Sequence, residues 1–577
     1  MATKRRKKHK RPARFAPAPG RRRAAALRVP RILFLQLPQL DNDVSGAHEN
    51  VPLAAIYLEH ALERSPEARH FRAEILRDDV AGGGDARLVR AIVSRRPVVI
   101  AATLYLWNVE RTLHVLERVR RRLPALKVVA GGPEVAPDNP FLFESAAVDV
   151  AVAGEGERVF PDVLRALRTS GRTDFASVAW RVGERFEWGR TPPPPFDLRR
   201  DLPPPGHRLA RPDRSGMAYL ETSRGCPLRC TYCCYGHRRT RVTFLPAQDV
   251  LPRVRILAAR GAKEIRFIDP TFNANPDFRR IVAALAALNR GGRLRFFAEL
   301  RPDALTRDDA RGLARAGFRE IEVGVQSRNR ATLRRIGRPS DPGRVEKAVR
   351  DLARAGIEVT VDMMYGLTGQ TAREIRANLR WAAGLRGVYV QCLQTLLLPG
   401  TVLRAECGRW AMTSCARPPY QVEATSTLSR RALRAAEERA RKLFRTEMDC
   451  PTRRFVGRAL PDQFPTLGPR RRMTFQGLDL FARRDRIARA IRRAVRAEPH
   501  GLWQFVLEPR REEPLDLLYR LVAEIRRFPP LVQDQFVQTH SPGRIASRRI
   551  FIRLLPRRRY DRAWQEAAED RLRSAFY

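Results

Sequence analysis

Lysine is nearly missing beyond the first 30 residues: only Lys127, Lys263, Lys347 and Lys442 carry it in the rest of the 577-residue chain. The formal charge of +48 is therefore built almost wholly from arginine, and twelve of the positive charges sit in residues 1–30, which contain no acid. An arginine excess of this kind reflects codon composition as readily as a binding surface, so it does not by itself define a nucleic-acid-binding protein. Cysteine is scarce too, and eight in a chain of this length exclude a disulfide scaffold. No run of about 18 apolar residues occurs, which leaves no candidate for a membrane-spanning helix. The apolar run behind the basic start, 32-ILFLQLPQL-40, is short and broken by Gln and Pro, so it reads as a first strand and not as a signal peptide. A cytoplasmic protein is expected.

With 44% hydrophobic and 30% charged residues, the chain has the composition of a folded protein of several domains. From residue 28 to about 170, short apolar runs alternate with helical patterns: 31–37, 71–76, 97–107, 126–132 and 148–157 read as strands, with helices near 51–64, 85–94 and 110–122. Short apolar strands that end in glycine describe an open parallel sheet, whose ligands bind at the carboxyl edge. A hairpin at 175–188 and the Pro-rich 191-TPPPPFDLRRDLPPPG-206 fill residues 171–214. A second β/α series of six units occupies 215–403 and predicts a partial (β/α)6 barrel with its chemistry on the loops after the strands. Residues 404–577 read as a mainly helical region of unknown role, with Arg-rich helical patterns near 428–446 and 484–497, and residues 1–27 as a disordered basic tail.

The sharpest signal is 223-SRGCPLRCTYCCYG-236, where Cys226, Cys230 and Cys233 follow a C-x3-C-x2-C spacing just after the first barrel strand. A structural zinc site usually closes with four ligands, whereas three thiolates on one loop leave a cluster iron open. A zinc knuckle completed from elsewhere is the alternative, and a reading that uses Cys234 in place of Cys233 stays open.

This loop, with Tyr232 before its third cysteine, resembles the signature of radical S-adenosylmethionine (SAM) enzymes. The resemblance implies a [4Fe–4S] cluster whose open iron is chelated by SAM, homolytic cleavage to a 5′-deoxyadenosyl radical, and an electron donor such as flavodoxin or ferredoxin. It extends over 217–403. There 267-FIDPTFN-273 places Asp269 and Thr271 beside SAM, 297-FAELRPD-303 adds Glu299 and Arg301, 321-IEVGVQS-327 adds Gln326, and 362-DMMYGLTGQT-371 adds Asp362 and Gly366. The preceding α/β domain resembles the cobalamin (B12)-binding domain of the B12-dependent members. The pieces that carry this likeness are 103-TLYLWN-108 (Thr103, Leu104, Tyr105), 131-GGPE-134 (Gly131, Gly132) and 154-GEGE-157 (Gly154, Glu155, Gly156), whose glycines let a bulky ring or tail approach the backbone. No D-x-H-x-x-G segment supplies a histidine to cobalt.

The family likeness implies methyl transfer to an unactivated carbon of a small-molecule or peptide substrate. Cyclisation and rearrangement are alternatives. So are a cobalamin-free enzyme that modifies tRNA, a nucleic-acid-binding protein with a structural cluster, and a first sheet that merely supports the barrel.

Overall fold

The apolar runs between residues 29 and 152 form strands because helices cover both of their faces. A computed structural model describes residues 29–37, 51–76, 85–208, 210–213, 215–235, 242–416 and 418–444, with backbone strands at 471–478, 502–509, 535–538, 542–545 and 549–554 and a few helical positions between 486 and 493. The first sheet contains β1 (Arg31–Leu35), β2 (Arg72–Ile75), β3 (Val99–Thr103), β4 (Lys127–Gly131), β5 (Val150–Val152), β6 (Val178–Val182) and β7 (Arg185–Trp188). Their spatial order is β2-β1-β3-β4-β5-β6-β7. The first five are parallel, while β6 and β7 are antiparallel and extend the sheet from β5.

Side chains alternate between two cores. Leu33, Leu35, Ile100, Ala102, Val128 and Ala130 pack on one face, and Ile32, Phe34, Val99, Ala101, Val129 and Val150 on the other. Burial on both sides is why these strands read as unbroken apolar runs. The order places a topological switch point between β1 and β3, where such sheets bind ligands beyond the carboxyl ends of the strands. Asn108 fastens this point: its amide donates to Leu37 O and Thr103 O, and its oxygen accepts from Tyr105 N.

The second sheet is built from β8 (Met217–Leu220), β11 (Glu264–Phe267), β12 (Arg295–Leu300), β13 (Phe318–Gln326), β14 (Glu358–Tyr365) and β15 (Val388–Gln394), with β9 (Ser223–Arg224) and β10 (Thr243–Phe244) as a small antiparallel pair on the first loop. The six strands are parallel and stand in sequence order, so the barrel is open between β8 and β15. Ala218, Ile265, Phe296, Ile321, Val359 and Val390 face the apolar layer outside. The intervening positions carry Arg266, Glu299, Glu320, Glu322, Asp362 and Gln391, so the inner face is charged.

The helical pattern at 428–446 is helix Arg430–Phe444. Beyond it, the described elements add β-structure that the sequence reading did not anticipate: a parallel set of Arg471–Leu478, Leu502–Pro509 and Arg549–Leu554, and an antiparallel pair Gln535–Gln538 with Pro542–Ile545. The basic tail, His48, Cys450, Trp564 and the Arg clusters at 470 and 557–559 lie largely outside the described residues, as does most of the pattern at 484–497. Among the described residues no helix is long and apolar enough to cross a membrane.

Candidate active site

The cysteine loop leaves β8 and is held from beneath by Asp269, at the end of β11. This fully buried carboxylate accepts from Thr222 N (2.9 Å), Thr222 Oγ1 (2.6 Å), Ser223 Oγ (2.8 Å) and Ser223 N. Burial still pushes its pKa up to about 6 against these four donors. Asp269 is therefore a brace of the loop, with three of these bonds on Oδ1 and one on Oδ2. Thr271 lies nearer the thiols, with its hydroxyl 3.6 Å from Cys226 Sγ.

Cys226, Cys230, Cys233 and Cys234 are all free. Burial, and then the neighbouring thiols Cys234, Cys230 and Cys226, push Cys233 up to about 12. Four sulfurs crowded this way gain from a cation that stabilises the thiolate form. Three free thiols on one short loop can hold three corners of a four-iron cluster and leave the fourth iron open, so the donor set fits that group.

The opposite wall is residues 336–338. Ile336 O accepts from Thr231 N at 2.9 Å, and a Cβ on Gly337 would lie 2.3 Å from Arg229 O, so only glycine lets these backbones touch. Arg338 then reaches inward, Nη1 at 3.8 Å from Cys230 Sγ and Nη2 donating to Gly324 O at 2.6 Å. Arg301 does not. It is held by Asp303 (2.7 and 3.0 Å) and donates to Pro339 O, so it braces its own loop. Arg338 was missed because nothing in an Arg-rich sequence marks one arginine above another.

Glu299, Glu322 and Asp362 share the barrel's inner face. Burial and then Glu322 push Glu299 up to about 8, burial and then Glu299 push Asp362 up to about 7, and burial and then Asp362 hold Glu322 well above its ordinary value. Gln391 donates to Asp362 at 3.0 Å. Gln326, in the left-handed region at φ 64°, is buried at the mouth and its Oε1 has no hydrogen-bond partner there. Tyr232 packs on Leu333, Ile336 and Leu367. Gly366 turns at φ 84°, and its missing Cβ faces Thr395 and Leu433 instead of open space; the turn is clamped by Gln370 Oε1, which accepts from Gly366 N.

The three loops expected to meet cobalamin stand side by side after β3, β4 and β5. Leu104 N donates to Gly131 O and Glu134 N to Leu104 O, so the first two are knitted together. Gly132, at φ 100°, is glycine for that reason: a Cβ would lie 2.6 Å from Leu104 O. Gly156 likewise packs on Leu58. Gly154 differs, being left-handed at φ 75° with nothing near its missing Cβ, and Gly131 has only an ordinary contact, so protein packing does not hem in the backbone at these two positions. Thr103 and Leu104 are buried, and Tyr105 stacks on Trp107 at 4.4 Å.

The cysteine loop and these loops meet directly. Arg224, two residues before Cys226, is bonded to Glu221 (2.7 and 2.7 Å) and crosses to Glu157 of the third loop at 2.7 Å, with Glu155 at 3.9 Å. Its guanidinium lies 3.8 Å over Phe196. Tyr105 lies within electrostatic reach of Glu221, and Tyr235 of Tyr105, Cys234 and Glu299, so the β3 loop, the cysteine loop and the barrel's inner face approach one another here. A second seam pairs Tyr420 OH with Glu134 Oε2 at 2.8 Å, and Arg404 with Asp138 at 3.3 Å.

Comparison with known proteins agrees with this layout. Residues 48–164 match the B12 binding domain and residues 220–382 the radical SAM superfamily. An uncharacterized methyltransferase of Pyrococcus horikoshii is 27% identical over 288 residues, 48% of this chain and 62% of that one. The cobalamin-dependent radical SAM methyltransferase TokK of Streptomyces tokunonensis is 32% identical over 205 residues, 33% of this chain and 30% of that one. Both relatives are therefore spanned in part. The radical SAM methyltransferase TsrM of Kitasatospora setae, solved with cobalamin and a [4Fe–4S] cluster, shares the fold at a TM-score of 0.52 and 20% identity, over 66% of this chain and 74% of that one. The chain is an α/β protein in which a B12-binding domain precedes a radical SAM domain. In domain content and order it is similar to the B12-binding-domain-containing radical SAM proteins.

Proposed function

We propose that this chain is a cobalamin-dependent radical SAM methyltransferase acting on an unactivated carbon. The observation that carries the reading is the contact between the two candidate cofactor sites, fixed by the Arg224–Glu157 pair. When bound, the cluster with SAM supplies a 5′-deoxyadenosyl radical and cobalamin supplies a methyl group. Cys226, Cys230 and Cys233 would hold the cluster, and Asp269 keeps their loop in place. Glu299, Gln326, Asp362 and Thr271 line the space for SAM, with Tyr232 and Gly366 shaping its walls. Thr103, Leu104, Tyr105, Gly131, Gly154, Glu155 and Gly156 border the crevice for cobalamin. The substrate, a small molecule or peptide, lies between the two, beside Tyr105 and Tyr235.

A reductant such as flavodoxin or ferredoxin completes the system, in a cytoplasm that keeps the thiols reduced. The test is anaerobic reconstitution, absorption spectra with and without cobalamin, and assay of 5′-deoxyadenosine and methylated product. Cys230→Ala is expected to lose cluster and product together. Reconstituted protein that retains no corrin, or forms no 5′-deoxyadenosine, would overturn the proposal.

A further inference from the structure

Away from the active site, helix α1 (Leu53–Glu63) ends with His60 and Glu63 on one face, three residues apart. The segment leading into the barrel brings His207 against them. The two imidazoles stand edge to face with centroids 5.2 Å apart, and His207 Nε2 is 3.1 Å from Glu63 Oε2. One ligand atom from each of the three residues lies within 4.8 Å of the others, a grouping no other His, Cys, Asp or Glu set makes among the described residues.

We propose that His60, His207 and Glu63 form a site for a divalent transition ion of the zinc class. Two imidazole nitrogens and one carboxylate oxygen are a known zinc donor set, with water as the fourth ligand. Bonds of about 2.0–2.1 Å place tetrahedral ligands about 3.3 Å apart, within reach of side-chain rotation from the present spacing. The surroundings suit this. His60 is 8% exposed, so its ring is held in place by packing. Arg208 takes the other oxygen of Glu63 at 2.9 Å and also binds Glu59, so it orients the carboxylate. Arg64 and Arg253 are the further cations that His60 senses.

The ion would rivet the first sheet to the barrel's entry strap. That strap is already clasped from the barrel side, where Arg260 donates to the carbonyls of Gly206, His207 and Ala210 and Arg253 to that of Pro203.

The test uses cluster-reconstituted full-length protein, zinc chloride in small excess, desalting, and elemental analysis for zinc and iron together. Wild-type protein is expected to retain about one zinc per chain with iron unchanged, so that zinc has not entered the thiol loop. Its thermal midpoint is expected to rise with zinc concentration. Glu63→Gln and His207→Ala are expected to weaken zinc binding by at least about tenfold with iron still unchanged. His207→Cys, which restores a ligand but not the hydrogen bond to Glu63, is expected to recover it. Wild-type protein that keeps less than about 0.1 zinc, variants that bind as wild type does, or a Cys variant that behaves like Ala would each overturn the site.

Discussion

Arg224→Met is the most searching perturbation of the seam between the two candidate sites. Arg224 and its partners Glu157 and Glu221 expose only 15%, 10% and 10% of their side chains, so the pairs are largely out of water. Methionine keeps much of the contact with Phe196 but leaves two carboxylates facing each other without a cation. Stranding a buried partner in this way costs about 3–5 kcal/mol. At about 1.4 kcal/mol per factor of ten, the lower figure is a more than hundredfold rise in local opening. Hydrogen exchange read by mass spectrometry on peptides covering 153–160 and 221–226 measures it directly, because these amides open locally and need no global unfolding. Adding Glu157→Gln and Glu221→Gln to Arg224→Met is expected to recover most of the loss, since the penalty belongs to uncompensated charge and not to missing area. Exchange that rises less than about fivefold in the single variant, or a triple variant as mobile as the single one, would refute the reasoning.

Two further outcomes follow from the packing and the charges. Gly132→Ala sets a methyl 2.6 Å from Leu104 O at a left-handed φ and is expected to cost at least about 2 kcal/mol, read as a lower urea midpoint, with corrin retention falling as the Leu104 loop shifts; an unmoved midpoint would count against the contact. The carboxyls of Glu299, Glu322 and Asp362 are raised in the fold, so the folded protein holds more protons than the unfolded chain above about pH 4 and loses stability as pH rises through 7 to 8. Glu322→Gln is therefore expected to raise the thermal midpoint more at about pH 8.5 than at about pH 5.5. Equal shifts at both pH values would show that the group does not titrate in that window.

The elements that periodicity controls were legible in the sequence. Strands buried on both faces announced the first sheet, and the loop of three cysteines announced its own chemistry without help from the rest of the chain. The glycines were legible as turns but not in purpose: Gly132 and Gly337 are needed where protein backbone meets protein backbone, whereas Gly154 has nothing near its missing Cβ. Asp269 and Arg301 were read as ligand contacts because their motifs place them at strand ends. The structure gives them partners nearer at hand, the Thr222–Ser223 turn for one and Asp303 for the other. Sequence could not foresee Arg338, Arg224 or Tyr420, because each acts on a residue far along the chain in a protein where arginine is everywhere.

Those long-range pairs explain how two sheets joined by a proline-rich strap hold their loops in register. Apolar contact alone would allow the first sheet to slide on the barrel at little cost, because area is not directional. The bonds from Arg224 to Glu157 and from Tyr420 to Glu134 are directional. Each ends on a residue of a β4 or β5 loop whose neighbours border the crevice: Glu157 follows Gly156, and Glu134 follows the Gly131–Gly132 pair. A slide of even an ångström would strand a buried carboxylate at each end, so the loops after β4 and β5 keep their register against the barrel. Two ligands brought from opposite sheets to one carbon need that constancy, and a single seam, free to pivot, would not provide it.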